Sequence, residues 1–217
     1  MLAAIIPAFH ETDAIATVVK NTLPHVDRVV VVDDGSKDGT DAAAREAGAE
    51  VVVHPENRGK GAAMETGVAA VAADIYVMLD ADGQHDPSDI PQLVKGLEGS
   101  TMCIGSRFLG DISQMPFQRR LSNRLVSGIC TLTTGIHLTD VQSGFRAFRG
   151  EHAAELVRGF ERYTVEVGMV LRAADLSLVV TETPIIAVYG DERSKVNPLV
   201  DGLRVIRLLV GHLLGRR

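Results

Sequence analysis

An apolar run, Ile75 to Leu79, ends in two carboxylates one residue apart, Asp80-Ala81-Asp82. Gly83 and Pro87 then stop the chain from continuing as strand or helix. Side chains on a strand alternate with period two, so Asp80 and Asp82 are expected on one face. Two hard oxygen donors at the open end of a buried strand suit Mg²⁺ or Mn²⁺, which keep positions open for a substrate phosphate. Asp-x-Asp-Gly is also ordinary turn composition, so the neighbouring loops must decide.

Pro7-Ala8-Phe9-His10-Glu11 follows the first apolar run, and Asp33-Asp34-Gly35-Ser36 follows the second. Asn57-Arg58-Gly59-Lys60-Gly61 leads into a helix, where an anion could meet Lys60 and free backbone N–H groups. The Gly-Lys-Ser/Thr of a Walker loop is missing, as is the Gly-x-Gly-x-x-Gly of a dinucleotide fold after the first strand. Asp34 to Arg45 has some spacing of a calcium loop, but Arg45 stands where a bidentate Glu is required. A phosphatase of the Asp-x-Asp-Gly type is disfavoured, because that motif belongs after a first strand and here follows a fourth. His54 and His85 read as surface or turn residues.

The elements that hold these loops alternate. Ala3 to Pro7, Arg28 to Val32, Glu50 to Val53 and Ile75 to Leu79 read as strands, the first stopped by its proline. Helices lie between them, with Ile15, Val18, Val19 and Leu23 marking one face of the first. That order predicts an α/β fold, a mostly parallel sheet flanked by helices, with ligands at the carboxyl ends of the strands. Beyond Pro87, a helix from Ser88 to Glu98, a strand Met102 to Gly105 and a helix Gln118 to Thr134 are expected. Asp140 to Phe148 reads as a loop entering a strand, followed by a helix Val165 to Ala174 and a strand Leu178 to Thr181. Pro184 to Val188 could extend that strand. Tyr189 to Asn197 reads as a mobile loop, and Leu199 to Leu214 as the last helix.

At 217 residues the chain is long enough to bury a full core as one domain with a small appendage. No stretch reaches the roughly 18 apolar residues that span a bilayer, and Met1 runs into a strand with no basic leader. Two cysteines, Cys103 and Cys130, suggest neither a disulfide framework nor a zinc site. Cytosol is the default compartment. The net charge of −6 argues against general nucleic-acid binding. Acids concentrate before Asp111, whereas Arg119, Arg120, Arg124, Arg204, Arg207, Arg216 and Arg217 give the second half an affinity for anions.

Ile6 to Glu11, Val31 to Ser36, Asn57 to Gly61, Asp80 to Gln84, Gly105-Ser106-Arg107-Phe108, Thr139 to Arg146 and Arg193-Ser194-Lys195, in this order, resemble the inverting glycosyltransferases of GT-A fold. Within them the match is to the dolichyl-phosphate mannose synthase branch, the polyprenyl-phosphate glycosyltransferases. Phe9 and His10 stand where Tyr and Asn are usual in the family. The resemblance implies a catalytic domain over 1–198, its nucleotide-sugar half about 1–110 and its acceptor half about 111–198, with 199–217 as an amphipathic, membrane-interfacial helix. It implies a divalent metal and diphosphate at Asp80, Asp82 and Gln84. The base and ribose would lie against Pro7, Phe9, Glu11 and one of Asp33 or Asp34, with Ala8, Lys60 and Ala81 completing the donor site and Lys60 on its phosphate side.

The implied reaction moves mannose or glucose from GDP-mannose or UDP-glucose to a polyprenyl or dolichyl monophosphate held by Arg107, Arg119 and Asn123. Arg193 and Lys195 would close over the bound substrates. A phosphate monoester is nucleophilic at neutral pH, so no general base is required; Asp140 is the fallback for a hydroxyl acceptor. The apolar stripes of the two late helices suit a membrane surface, on its cytoplasmic side. Packing on the sheet, an anchoring partner or a second copy of the chain would cover them equally.

Overall fold

A computed structural model describes residues 1–113, 115–160, 164–186 and 198–215. The first half alternates as the sequence predicts: β1 (Leu2–Ala8), α1 (Ile15–Thr22), β2 (Arg28–Asp33), α2 (Thr40–Glu46), β3 (Glu50–Val53), α3 (Lys60–Ala70) and β4 (Ile75–Met78). After it come α4 (Ile90–Lys95), β5 (Met102–Ser106), α5 (Phe117–Thr134), β6 (Arg146–Arg149), α6 (Ala153–Val157), α7 (Val165–Asp175), β7 (Val180–Pro184) and α8 (Pro198–Leu213). One seven-stranded sheet results, in the order β3-β2-β1-β4-β6-β5-β7. Only β6 runs antiparallel to its neighbours β4 and β5.

Both faces of the central strands are buried, as their β-branched runs require. Ile5, Val30, Val32, Met78 and Ile104 face α3, α5, α6, α7 and α8. Ile6, Val29, Val31, Val77 and Cys103 face α1, α2 and α4. The chain leaves β1 toward β2 on one side, and β4 lies on the other, so the crevice of an open α/β sheet falls between the carboxyl ends of β1 and β4.

Three local expectations are corrected. Pro7 lies inside β1, tolerated because pairing with β4 ends at Ile5 and no ladder partner needs its missing N–H. The helix expected from Ser88 is a 3₁₀ turn, Pro87–Asp89, and then α4; its cap is Asp86, which accepts from the Ser88 N–H at 2.9 Å. The single apolar stripe expected on α5 is split. Val126 and Ile129 pack on the core, whereas Phe117, Leu121, Leu125 and Leu132 are 76%, 59%, 62% and 86% exposed. The buried positions of α5 are Asn123, Ser127 and Cys130. Its apolar stripe points outward.

Arg146 is the largest fully buried side chain. Its guanidinium donates to the carbonyl oxygens of Ser143 at 2.8 Å, Glu166 at 2.6 Å and Val141, pinning the loop before β6 to α7. Arg146→Met leaves the Val141 and Ser143 carbonyls without their guanidinium donor and cuts the tie to the Glu166 carbonyl of α7. Urea unfolding should show a loss of about 3–5 kcal/mol, the range for breaking a buried charged network; a loss under about 1 kcal/mol would mean that water replaces the guanidinium.

Candidate active site

Backbone-to-side-chain bonds stitch together the loops at the carboxyl edge. The His10 N–H donates to Ser36 Oγ at 2.9 Å and the Glu11 N–H to Thr40 Oγ1 at 3.0 Å, so the loop after β1 rests on the loop after β2. His10 takes a left-handed φ of 55° there, and its ring lies 3.6 Å from Asp38 and meets the Phe9 ring at a tilt, with centroids 4.2 Å apart. Pro7 and Ala8 end β1 beneath this turn.

The two aspartates after β2 part company. Asp34 accepts from the Arg58 N–H at 2.9 Å, the Gly59 N–H at 2.7 Å and His54 Nδ1 at 2.7 Å. It is therefore the anchor of the glycine-rich turn. A carboxylate only accepts, so His54 donates from Nδ1, and its Nε2 hydrogen-bonds the hydroxyl of Thr66 at 2.9 Å. His54 is thus a buried strut, not a surface residue. The Asp33 carboxylate accepts from the Ser36 N–H at 3.1 Å through Oδ1, and its Oδ2 is buried without a partner among the described residues. Gly35 allows the close approach: with φ +81°, a Cβ there would lie 2.7 Å from the backbone of Glu56.

Asp80 and Asp82 lie just past β4, in the turn that follows it, so strand alternation does not set their direction. Asp82 accepts from the Gln84 N–H at 3.0 Å. Lys60, which opens α3, forms ion pairs with both Asp80 and Glu166. It is a counter-ion between carboxylates, not an open phosphate contact. Burial opposes ionisation of Asp80, but the charge of Lys60 first, then His85, the hydrogen bond from Lys60 and the charge of Arg107 outweigh it and hold its pKa below the usual carboxylate range. Asp82 has no such partner. Burial first, and the charge of Asp80 second, push its carboxyl up to about 6. Gly144 passes so close to Asp80 that a Cβ would collide with its carboxylate. His85, also buried, stacks on Phe145 at 5.1 Å, and burial pushes its pKa down to about 4, so the ring is neutral at pH 7.

On the far side, Arg107 Nε and Nη2 grip Asp140 at 2.7 and 2.8 Å, and the Arg107 N–H joins at 3.1 Å. Asp140 is fully buried. Its own N–H donates to Glu182 Oε1 at 2.9 Å, and the Thr139 N–H donates to Glu182 Oε2 at 2.7 Å. Arg119 and Asn123 sit one turn apart on α5. Asn123 Oδ1 is buried without a partner. Arg120 is instead spent on structure, donating to the carbonyls of Met115 and Ser113 at 2.8 and 3.0 Å. Arg193 and Lys195 lie outside the described residues.

Among the described residues, two buried side-chain oxygens lack a partner, Asp33 Oδ2 and Asn123 Oδ1. Both belong to residues expected to meet a ligand, one on the donor side and one on the acceptor side. Sequence reasoning missed Glu166 and Glu182. Each had a visible sign, a lone acid inside an apolar helix and a lone acid just past the apolar run Leu178 to Val180. No cluster of three His, Cys, Asp or Glu able to hold a metal occurs among the described residues. The donor set still fits Mg²⁺ or Mn²⁺ shared with a substrate, because such ions take one or two carboxylates and complete their shell with phosphate and water. Asp82, raised by burial and then by its neighbour's charge, is a carboxylate that an added cation would relieve.

A family model described as Glycosyl transferase family 2 matches residues 3–157. An uncharacterized protein of Methanocaldococcus jannaschii is 34% identical, over 95% of this chain and 89% of its own length. The UDP-N-acetylglucosamine–dolichyl-phosphate N-acetylglucosaminyltransferase of Methanococcus voltae is 32% identical, over 88% and 87%. The undecaprenyl-phosphate mannosyltransferase of Micrococcus luteus is 31% identical, over 83% and 81%. Among solved structures, glucosyl-3-phosphoglycerate synthase from Mycobacterium tuberculosis, in complex with Mn²⁺, UDP-glucose and phosphoglyceric acid, superposes with a TM-score of 0.73 at 25% identity. That match covers all of this chain and 79% of the other.

The raised Asp82 carboxyl has a signed consequence. Between about pH 4 and 6 the folded state holds a proton that the unfolded state has lost, so the metal-free fold loses this contribution as pH rises through 6. In EDTA, Asp82→Asn should be more stable than the parent at pH 7.5, by on the order of 1–2 kcal/mol after solvent screening, and the gap should close by pH 4. Thermal melts across that range test it. A gap independent of pH would mean that Asp82 ionises normally.

Proposed function

Because the chain belongs to glycosyl transferase family 2, we propose that it moves a hexose from a nucleotide-diphosphate sugar to a polyprenyl monophosphate, with inversion at the anomeric carbon. The nucleotide lies against Pro7, Ala8, Phe9, Glu11 and Asp33, while Asp34 holds the turn beneath it. Asp80, Asp82 and Gln84 would hold a divalent metal, which when bound neutralises charge on the departing diphosphate. The dolichyl- and undecaprenyl-phosphate enzymes among the relatives support the acceptor class. The Mn²⁺ and UDP-glucose named with the similar structure support the metal and donor class.

The observation that carries the acceptor is the Arg107–Asp140 pair. Asp140, the acid that could deprotonate a hydroxyl, is buried and committed to a guanidinium through both oxygens. A nucleophile that needs no base suits that arrangement. A phosphate monoester is such a nucleophile. Its oxygen attacks the anomeric carbon, the bond to the diphosphate breaks, and the nucleoside diphosphate leaves with the electron pair. Arg107 and Arg119 supply positive charge for the acceptor, with Asn123 beside them.

A lipid acceptor also accounts for the inverted polarity of α5. Phe117, Leu121, Leu125 and Leu132 form an exposed stripe near Arg124, and the contacting α8 leaves Val210, Leu213 and Leu214 in solvent. That combination suits the interface of an anionic membrane. No helix among the described residues is long and apolar enough to cross one.

Incubation with GDP-mannose, UDP-glucose or UDP-N-acetylglucosamine, a polyprenyl phosphate and Mn²⁺ should give a lipid-linked sugar with at least one donor. Asp82→Ala or excess EDTA should abolish turnover, and Arg119→Ala should raise the acceptor KM more than the donor KM. Glycosylation of a phosphorylated acid or a plain hydroxyl, with no lipid product, overturns the acceptor. Full activity in EDTA overturns the metal.

Leu121→Asp with Leu125→Asp should release the protein from vesicles of phosphatidylglycerol while leaving its melting temperature unchanged, since both sites are exposed. Undiminished sedimentation with vesicles would assign the stripe to another partner.

A further inference from the structure

Between the 3₁₀ turn Arg107–Leu109 and α5 lies an open groove of about 380 Å³. Phe108, Ile112 and Leu138 give it apolar lining, with Ser127, Thr131 and Thr139 between them. The inner end adjoins the acceptor pair directly, because Phe108 follows Arg107 and Thr139 precedes Asp140. At the rim stand the exposed Arg124, its guanidinium 5.9 Å over the Phe108 ring, and the exposed His137. No carboxylate is among the lining residues.

The outer end is set by Gly128, which lines the groove and lies on the exposed stripe between Leu125 and Leu132 at helical spacing. Nothing lies within 4 Å of where its Cβ would be. A bulky residue there would narrow the mouth. The groove thus starts beside the cation expected to meet a phosphate, continues over an apolar wall and opens onto apolar surface. An amphiphile with an anionic head and a hydrocarbon tail matches each part in turn.

We propose that this groove receives the first isoprene units of the acceptor and hands the rest of the chain to the leucine stripe of α5. The proposal rests on the acceptor being a polyprenyl monophosphate. Its volume, at the lower end of the range for small-molecule pockets, holds a short stretch of the chain and not the whole. Discrimination should therefore come from the units nearest the phosphate, with little further gain as the chain lengthens.

Steady-state kinetics with methyl phosphate, farnesyl phosphate and undecaprenyl phosphate test this. The parent enzyme should strongly prefer farnesyl over methyl phosphate and gain little more with the longer chain. Gly128→Trp should raise the KM for farnesyl phosphate at least roughly tenfold, the size expected when a few methylenes lose their burial, with the donor KM unchanged. An unchanged farnesyl KM overturns the groove while leaving the acceptor class standing. If the parent uses no polyprenyl phosphate but glycosylates a phosphorylated acid, the acceptor class falls and the groove with it.

A second measurement does not depend on the blocked variant folding. The chain contains no tryptophan, so His137→Trp places a single reporter at the rim. Its emission should shift on addition of farnesyl phosphate and not of methyl phosphate. Turnover of farnesyl phosphate by that variant with no shift overturns the proposal.

Discussion

Lys60 is the cation on which the catalytic edge depends. The turn after β4 brings Asp80 and Asp82 together in a half-buried place, where two like charges repel strongly. Lys60 balances one of them, and Glu166 at the start of α7 holds the lysine from the opposite side. The lysine is placed in turn by Asp34, which ties down the N–H groups of Arg58 and Gly59 immediately before it. An acid at the end of β2 thus positions a base that positions an acid at the end of β4. Three separate strand-to-helix connections become one rigid edge, and Asp82 is left as the carboxylate that forms no ion pair among the described residues.

The acceptor side repeats this pairing with the signs exchanged. There the guanidinium of Arg107 faces the crevice and a buried acid, Asp140, holds it, itself braced through the backbone by Glu182. A buried ion pair adds little net stability, because desolvation consumes most of its attraction. Its value here is orientation. Arg107 also lies close enough to Asp80 to lower its pKa, so the donor loop and the acceptor loop share one electrostatic environment.

Much of this was legible in the chain. β3 occupies the four residues expected of it, and the βα alternation gave the mostly parallel sheet and the crevice edge, because continuous β-branched runs buried on both faces leave few other topologies, whereas the GT-A assignment rested on the resemblance of the loop motifs. The antiparallel entry of β6 was not legible, since it depends on pairing with β4 and β5 far away in sequence. Nor could residue type separate Asp33 from Asp34. Both are aspartates at a strand end, and only the position of the glycine-rich turn commits one to structure and leaves an oxygen of the other unpartnered. Lys60 shows a related limit: a helix start suggests an anion, and the anions that the lysine meets in the structure are the protein's own Asp80 and Glu166.

Helix α5 shows the limit most clearly. A period of 3.6 locates an apolar stripe but does not say which side of the helix the protein covers. The usual rule puts apolar residues inward, and here Asn123 and Ser127 go inward while leucines face solvent. The exception has a physical cause. Ser127 accepts from the Val141 N–H at 3.2 Å, so the helix must turn a polar side toward the 139–141 loop that carries Asp140. A helix with one side committed to polar chemistry has to place its apolar residues elsewhere. On the reading proposed here, that surface meets lipid, and the same rotation that builds the acceptor site also delivers the acceptor to it.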